Sequence, residues 1–311
     1  MQYFRRVFLS FCLSLLPMLI IGQSMAVDTF MLFFLGGQSN MEGYGFNDRL
    51  PDTLMHDYKD VMIFQGNAVA DGETSGGLGL WTTLGPGHGV GFSSDGHENS
   101  LSDRFGLELT LAARLGAEYP KASIAFIKYA RGGSSLDSLS ARYFGSWEPS
   151  FKGKGGINQY DHFLQTLKNA YSSSDINNDG RLDVLIPKGI FWMQGEGDAE
   201  TLESSAIDYE KNLRQLMDLM RQQFGNPELP VVIGKISDSG SEDSWFVWPY
   251  GSIVMDAQEA FVEHDPFAAI VRSTSNYSYS DIWHYNTEGY LDLGRAFAEA
   301  YIELVSRVNK D

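Results

Sequence analysis

Cysteine is nearly absent: the 311 residues contain one, Cys12. It lies within an apolar N-terminal run and does not follow a small-residue lipobox, so the rest of the chain can form no disulfide, thiolate metal site or cysteine nucleophile. Basic residues are scarce as well, with 23 Lys and Arg against 40 Asp and Glu and a formal net charge of -17. A surface of that sign repels nucleic acid and anionic lipid and disfavours polyanionic polymers unless a local basic patch exists. The G-x-S-x-G nucleophile elbow is missing, and so is H-E-x-x-H: the histidines at 56, 88, 97, 162, 264 and 284 show no ligand-like pairing. Internal repeats and low-complexity segments are also lacking.

Residues 1–26 read as a signal peptide. Arg5 and Arg6 form a basic start, Val7 to Ile21 an apolar run, and Ser24-Met25-Ala26 a small-residue cleavage site. The run is shorter than the roughly 20 apolar residues of a spanning helix and is interrupted by Pro17. Export to a periplasm or the medium is therefore expected, with no membrane attachment after cleavage. Without Arg5 and Arg6, 21 basic residues face 40 acidic ones, a net charge of -19. Residues 27–311 are long enough for one large core, and 43% hydrophobic with 13% aromatic content is that of a globular chain. One α/β domain with long insertions is the simplest account.

Apolar runs without polar alternation predict buried parallel strands at Phe30 to Leu35, Ser123 to Tyr129, Gly189 to Met193, Pro230 to Ile236 and Ala268 to Arg272. Helical periodicity is clearest over Tyr209 to Phe224, where Leu213, Leu216, Met217, Met220 and Phe224 share a face and Gly225 and Pro227 end it. Leu107 to Leu115 and Leu291 to Val305 repeat the pattern. Alternating strands and helices imply a parallel sheet covered on both faces, with its ligand site at the carboxyl ends of the strands. The glycine-rich stretch from 42 to 105 predicts long functional loops with at most a short strand near Val61 to Phe64. Ala141 to Gln159 carries Tyr143, Phe144 and Trp147 among glycines; loop packing and a stacking platform for sugar rings both fit it.

The first strand ends in Gly36-Gly37-Gln38-Ser39-Asn40-Met41, which puts a serine hydroxyl at the sheet's carboxyl edge. Ser280-Asp281-Ile282-Trp283-His284 places an aspartate three residues before a histidine. In that spacing the carboxylate can bond Nδ1 and leave Nε2 to act as a general base. Ala130-Arg131-Gly132-Gly133-Ser134-Ser135 and Gln194-Gly195-Glu196-Gly197-Asp198 follow the next two strands and project at the same edge. A glycine amide from the first and the Gln194 side chain from the second could join the Ser39 amide around a developing oxyanion. Singly, each segment is equally a turn or a cap.

In combination and order, Gly-Gln-Ser-Asn-Met at 37 to 41, Gly-Gly-Ser-Ser at 132 to 135, Gln-Gly-Glu-x-Asp at 194 to 198 and Asp-x-x-His at 281 to 284 resemble the SGNH hydrolases of the sialate O-acetylesterase and carbohydrate esterase family six group. The resemblance runs over almost the whole mature chain. It implies a flavodoxin-like, three-layer α/β/α fold around a mainly parallel five-stranded sheet, and a serine esterase that removes acetyl groups from sugars without a cofactor. It also implies Ser39 as nucleophile and oxyanion donor, Gly132 or Gly133 as second donor, Gln194 as third, His284 as base and Asp281 as its orienter. Gln194 stands where many SGNH members have asparagine. Glu196 and Asp198 are expected to brace loops. The expected partner is an acetylated carbohydrate; a non-catalytic carbohydrate binder and a lipase or thioesterase on the same scaffold are the alternatives. Separately, Asp175, Asn177, Asp179 and Asp183 follow the oxygen spacing of a calcium loop with Gly180 at position 6, but Ile186 replaces the bidentate glutamate at position 12. A structural calcium site and a metal-free Asx-rich turn both fit that pattern.

Overall fold

The computed structural model describes residues 27–153, 155–241 and 245–308. The expected signal peptide, residues 1–26, lies outside them. Seven strands form the main sheet: β1 (Val27–Gly37), β2 (Tyr58–Gln65), β3 (Trp81–Leu84), β4 (Ser123–Ala130), β5 (Leu182–Met193), β6 (Val231–Gly234) and β7 (Ala268–Val271). In space they run β7-β6-β5-β1-β4-β2-β3, all parallel except the edge strand β3, which is antiparallel to β2. The five expected strands are all present. The other two come from the glycine-rich insertion: β2 contains the short strand expected near Val61 to Phe64 and extends it through exposed Lys59 and Asp60, whereas β3, with only four residues, carries no apolar run that marks a buried strand.

Eight helices accompany the sheet among the described residues: α1 (Ser39–Glu42), α2 (Glu108–Glu118), α3 (Gln159–Ala170), α4 (Glu196–Glu200), α5 (Glu203–Ile207), α6 (Tyr209–Gln223), α7 (Gly251–His264) and α8 (Thr287–Val308). Consecutive strand residues face opposite sides, and Phe33 and Phe34 show what each side meets. The Phe33 ring packs on Tyr301 of α8 at 5.1 Å, whereas Phe34 packs on Phe163 of α3 at 4.9 Å and on Phe224, just beyond α6, at 6.1 Å. Helices α2 and α8 are in contact with each other, as are α6 and α7, so the sheet is the middle of three layers. Phe33 and Phe34 are both fully buried, and truncating either to alanine would cost about 3–5 kcal/mol. Helix α6 buries Leu213, Leu216, Met217 and Met220 and stops at Gly225, whose φ of 67° is the left-handed conformation that ends a helix.

Strand register sets up the site. Gly37 at the end of β1 pairs with Ala130 of β4 and with Met193 of β5, so the segments after all three strands leave from one line. Gly37 has φ of 143°, and a Cβ there would lie 2.0 Å from the Met193 carbonyl oxygen, so only glycine permits this approach.

Candidate active site

Three neighbouring strand ends deliver Gln38 and Ser39, Arg131 to Gly133, and Gly195 to Gly197, while the turn before α8 brings Asp281 to His284 over them. Ser39 is the first residue of α1, so its backbone N–H has no partner inside the helix. Ser39 and His284, 245 positions apart, line one cavity of about 520 Å³ with Gln38, Glu42, Tyr44, Arg131, Gly132 and Gly133. Among the described residues no hydrogen bond joins the serine hydroxyl to the imidazole; such bonds are often long before substrate binds.

Asp281 holds His284 twice. Its Oδ2 lies 2.7 Å from Nδ1, and its Oδ1 accepts the His284 and Trp283 backbone N–H groups at 2.8 and 2.7 Å. With Nδ1 on the carboxylate, Nε2 is the nitrogen left for proton transfer. Burial pushes the imidazole below its ordinary value and Arg104 adds to that, outweighing the opposing pull of Asp281. Burial would raise Asp281, yet the bonds from the His284 ring and the two backbone amides bring its carboxyl below the usual range. Tyr44 stacks flat on the imidazole, centroids 3.5 Å apart and planes 6° from parallel, and fixes the ring from its other face.

Asn40, a role the sequence reading missed, joins the nucleophile segment to the histidine segment. Its Nδ2 donates to Glu196 Oε1 at 2.8 Å and to the Trp283 carbonyl at 3.3 Å, and its Oδ1 accepts from Tyr290 Oη at 2.7 Å and the Tyr285 N–H at 3.4 Å. The backbone on both sides of His284 is therefore held by the residue after Ser39. Asp198 accepts the Leu136 and Asp137 amides, and burial pushes it up to about 7. Glu196 and Asp198 thus brace loops in this geometry.

The expected oxyanion donors are arranged differently from the sequence reading. Gln194 does not reach the cavity: it is fully buried, and its Nε2 donates to the Ser134 carbonyl at 3.2 Å and to Asp198 Oδ2 at 2.7 Å. With both amide protons committed to partners that are themselves buried, it has none to offer an oxyanion. Gln38 is placed to take that part. Its Oε1 accepts the Gly195 and Gly197 N–H groups at 3.3 and 3.1 Å, which fixes which end of the amide is oxygen. Its Nε2 has no partner among the described residues and is not sealed from the cavity that the side chain lines. The signal was present in Gly37-Gln38-Ser39, but nothing in the sequence says which of two glutamines faces inward. The Gly132 N–H donates to Glu42 Oε2 at 3.1 Å, whereas the Gly133 N–H has no partner among the described residues. Burial beside Ser39 pushes Glu42 up to about 7 against the lowering influence of Arg131, Gly132 and Lys128. Beneath this loop Lys128 donates to the Glu42 and His88 carbonyls and pairs with buried Glu108 at 2.8 Å.

The segment 141–159 splits in two. Trp147 belongs to the core, edge-on to Trp192 at 4.9 Å, with its Nε1 donating to Ser134 Oγ. Tyr143, 77% exposed, and Phe144 line the cavity mouth with Phe92, Trp248 and Trp283. In the calcium-like loop, Asp175 accepts the Asp179 and Gly180 amides, Asp179 the Arg181 amide and Asp183 the Ile176 amide. That is Asx-turn bonding. Among the described residues no three His, Cys, Asp or Glu side chains converge as a metal site.

A serine, an Asp-held imidazole and open amide donors at the carboxyl edge of a parallel three-layer sheet have the layout of the SGNH class of hydrolases. Residues 29–303 match the family model for carbohydrate esterase, sialic acid-specific acetylesterase, and the chain belongs to that family. Among solved structures, a protein of Arabidopsis thaliana superposes with a TM-score of 0.59 at 19% identity, over 88% of this chain and 98% of that one. A carbohydrate acetylesterase from Xanthomonas citri gives 0.57 at 16% identity over 88% of this chain and 56% of its own length, and NanS gives 0.54 at 15% over 90% and 98%. No curated protein sequence matches the chain.

Proposed function

We propose that this hydrolase removes O-acetyl groups from a carbohydrate through an acyl-enzyme. His284 Nε2 takes the Ser39 proton as Oγ attacks the acetyl carbonyl. Asp281 stabilises the imidazolium, and the oxyanion forms against the Ser39 amide, Gln38 Nε2 and the Gly133 amide. Collapse expels the sugar hydroxyl, which receives the proton from His284. Water, deprotonated by His284, then releases acetate and restores the serine. The observation that carries this reading is the doubly anchored Asp281–His284 pair opening onto the cavity that holds Ser39. The aromatic mouth at Tyr143, Phe144, Trp248 and Trp283 supports a sugar as the alcohol part, because such faces stack on pyranose rings.

One observation favours the rival reading, a carbohydrate binder without turnover: the Glu42 carboxyl occupies the Gly132 amide. Two measurements decide. Intact mass after exposure to a phosphonate serine probe is expected to show one adduct, on Ser39, and acetate is expected from a panel of acetylated xylans and sialic acids. Absence of both the adduct and acetate leaves the binder. We further propose that residues 1–26 are removed on export, so that the exported protein begins at Val27; N-terminal sequencing reads this directly.

A further inference from the structure

Trp245, Phe246, Ile282 and Trp283 are between 42% and 62% exposed, and none of them belongs to the core or to the apolar residues packed on it. Local bonding sets the two pairs side by side at the cavity. Asp238 closes the loop that carries Trp245 and Phe246: its Oδ1 accepts the Gly240 and Val247 N–H groups at 2.7 and 3.0 Å, and its Oδ2 accepts the Trp248 N–H at 2.8 Å. Inside that loop Gly240 lies so close to the Trp245 carbonyl that a Cβ on it would collide. Its neighbour Ser239 donates its hydroxyl to the Ile282 carbonyl at 2.8 Å, which ties the loop to the turn holding Trp283 and His284. Trp248 at the end of the loop and Trp283 in the turn both line the cavity of Ser39, so the exposed ridge continues the cavity wall outward.

An exposed apolar ridge rimmed by polar residues marks a binding surface, and three observations choose its occupant. Charge disfavours polyanions and anionic lipid: between Lys235 and Arg295 the only lysine or arginine is Arg272, which pairs with Glu259, in a chain of net charge -17. Size argues against a second copy of the chain, since a stable interface takes roughly 20–30 residues a side. Continuity with the cavity leaves the rest of the substrate itself. The C–H face of a pyranose is apolar and meets the negative face of an aromatic ring, while its hydroxyls stay in water. Asp238 fixes the loop before any ligand arrives, so little ordering is required on binding. We propose that this ridge is a subsite for the unesterified sugars adjoining the acetylated one, so that the protein acts on an uncharged oligo- or polysaccharide in preference to a single sugar. The kinetic consequence rests on the esterase reading above; the binding does not.

The test uses the exported protein, a double variant combining Trp245→Ala with Phe246→Ala, and the conservative Trp245→Phe. Unacetylated xylohexaose, cellohexaose and mannohexaose, titrated by calorimetry against their monosaccharides, read the ridge without turnover. Wild type is expected to bind at least one hexasaccharide about ten- to a hundredfold more tightly than its monosaccharide, and the arm that does so identifies the backbone. The double variant should lose that gain and Trp245→Phe should keep part of it. With O-acetylated sugars of the same series, kcat/KM should rise with chain length by a similar factor, chiefly through KM; the double variant should flatten the rise while turnover of 4-nitrophenyl acetate stays within about threefold. Chain-length-dependent binding that the double variant removes supports the ridge even if no ester is cleaved. Wild type that binds no hexasaccharide more tightly than its monosaccharide overturns the proposal, as does a gain that survives in the double variant. Cosedimentation with phosphatidylcholine vesicles in place of glycan binding also overturns it, and so does a uniform loss in the double variant across long, short and sugar-free esters.

Discussion

Gln38→Glu separates the two glutamines of the site with almost no change of shape. Glutamate keeps an oxygen where Gln38 Oε1 accepts the Gly195 and Gly197 amides, so the contact between the nucleophile segment and the α4 segment persists. What changes is the end open to the cavity, where a donor becomes an oxygen, and an ionised one opposes the negative charge of the tetrahedral intermediate. Loss of one preorganised oxyanion donor costs about 2.7–4 kcal/mol of transition-state stabilisation, a fall of roughly 10²–10³ in kcat. The assay is steady-state acetate release at pH 7, together with a melting curve. The expected result is a kcat loss of that size, KM within about threefold and an unchanged Tm, because the donor acts on the transition state and not on bound substrate. Gln194→Glu should do the reverse. It sets a second carboxylate oxygen against Asp198 Oδ2 and the Ser134 carbonyl in a dry interior, so Tm falls by several degrees. If Gln38→Glu turns over within threefold of wild type while folded Gln194→Glu loses two orders of magnitude in kcat, the donor assignment made here is wrong.

Other perturbations follow from the same geometry. Ser39→Ala should abolish turnover with little effect on Tm, and Asp281→Asn should lower kcat by up to about 10⁴-fold by releasing the imidazole tautomer; full activity in either, measured by acetate release, removes the triad. His284 must be neutral to act, and burial lowers its pKa, so kcat/KM should climb through an ionisation on the acid side of the ordinary imidazole value of about 6.5. Glu42, raised to about 7, ionises next and its anion opposes the oxyanion, so a decline is expected above that pH; Glu42→Gln should flatten it, and a persisting decline would have another source. Lys128→Met leaves Glu108 buried and unpaired and should destabilise by about 3–5 kcal/mol in urea titration, whereas an unchanged midpoint would mean the pair contributes nothing. Since the carboxylates of residues 175–183 already bond backbone amides, chelator should leave Tm unchanged; a drop reversed by calcium would assign the loop to the metal.

Sequence alone determined the class of the protein and the order of its parts. Five apolar runs without alternation read as strands buried on both faces, and the stripe Leu213, Leu216, Met217 and Met220 as a helix against them. Those patterns are local and periodic, so they are legible before folding. The motifs at 37–41, 132–135 and 194–198 were legible as short runs after strands, and the one at 281–284 as a run before a helix. A short strand near Val61 to Phe64 was legible, and the structure extends it to Tyr58–Gln65 through exposed Lys59 and Asp60; β3, with four residues, was hidden among glycines because only pairing with β2 makes it a strand. Tertiary structure decided everything that depends on direction. Gln38 and Gln194 are indistinguishable as letters, and two glycine amides turn one toward the cavity while Ser134 and Asp198 turn the other away. Asn40 grips both sides of His284 from 244 positions away, and Glu42 takes the Gly132 amide. A side chain's partner across the chain is set by strand order and register, and no local pattern records either.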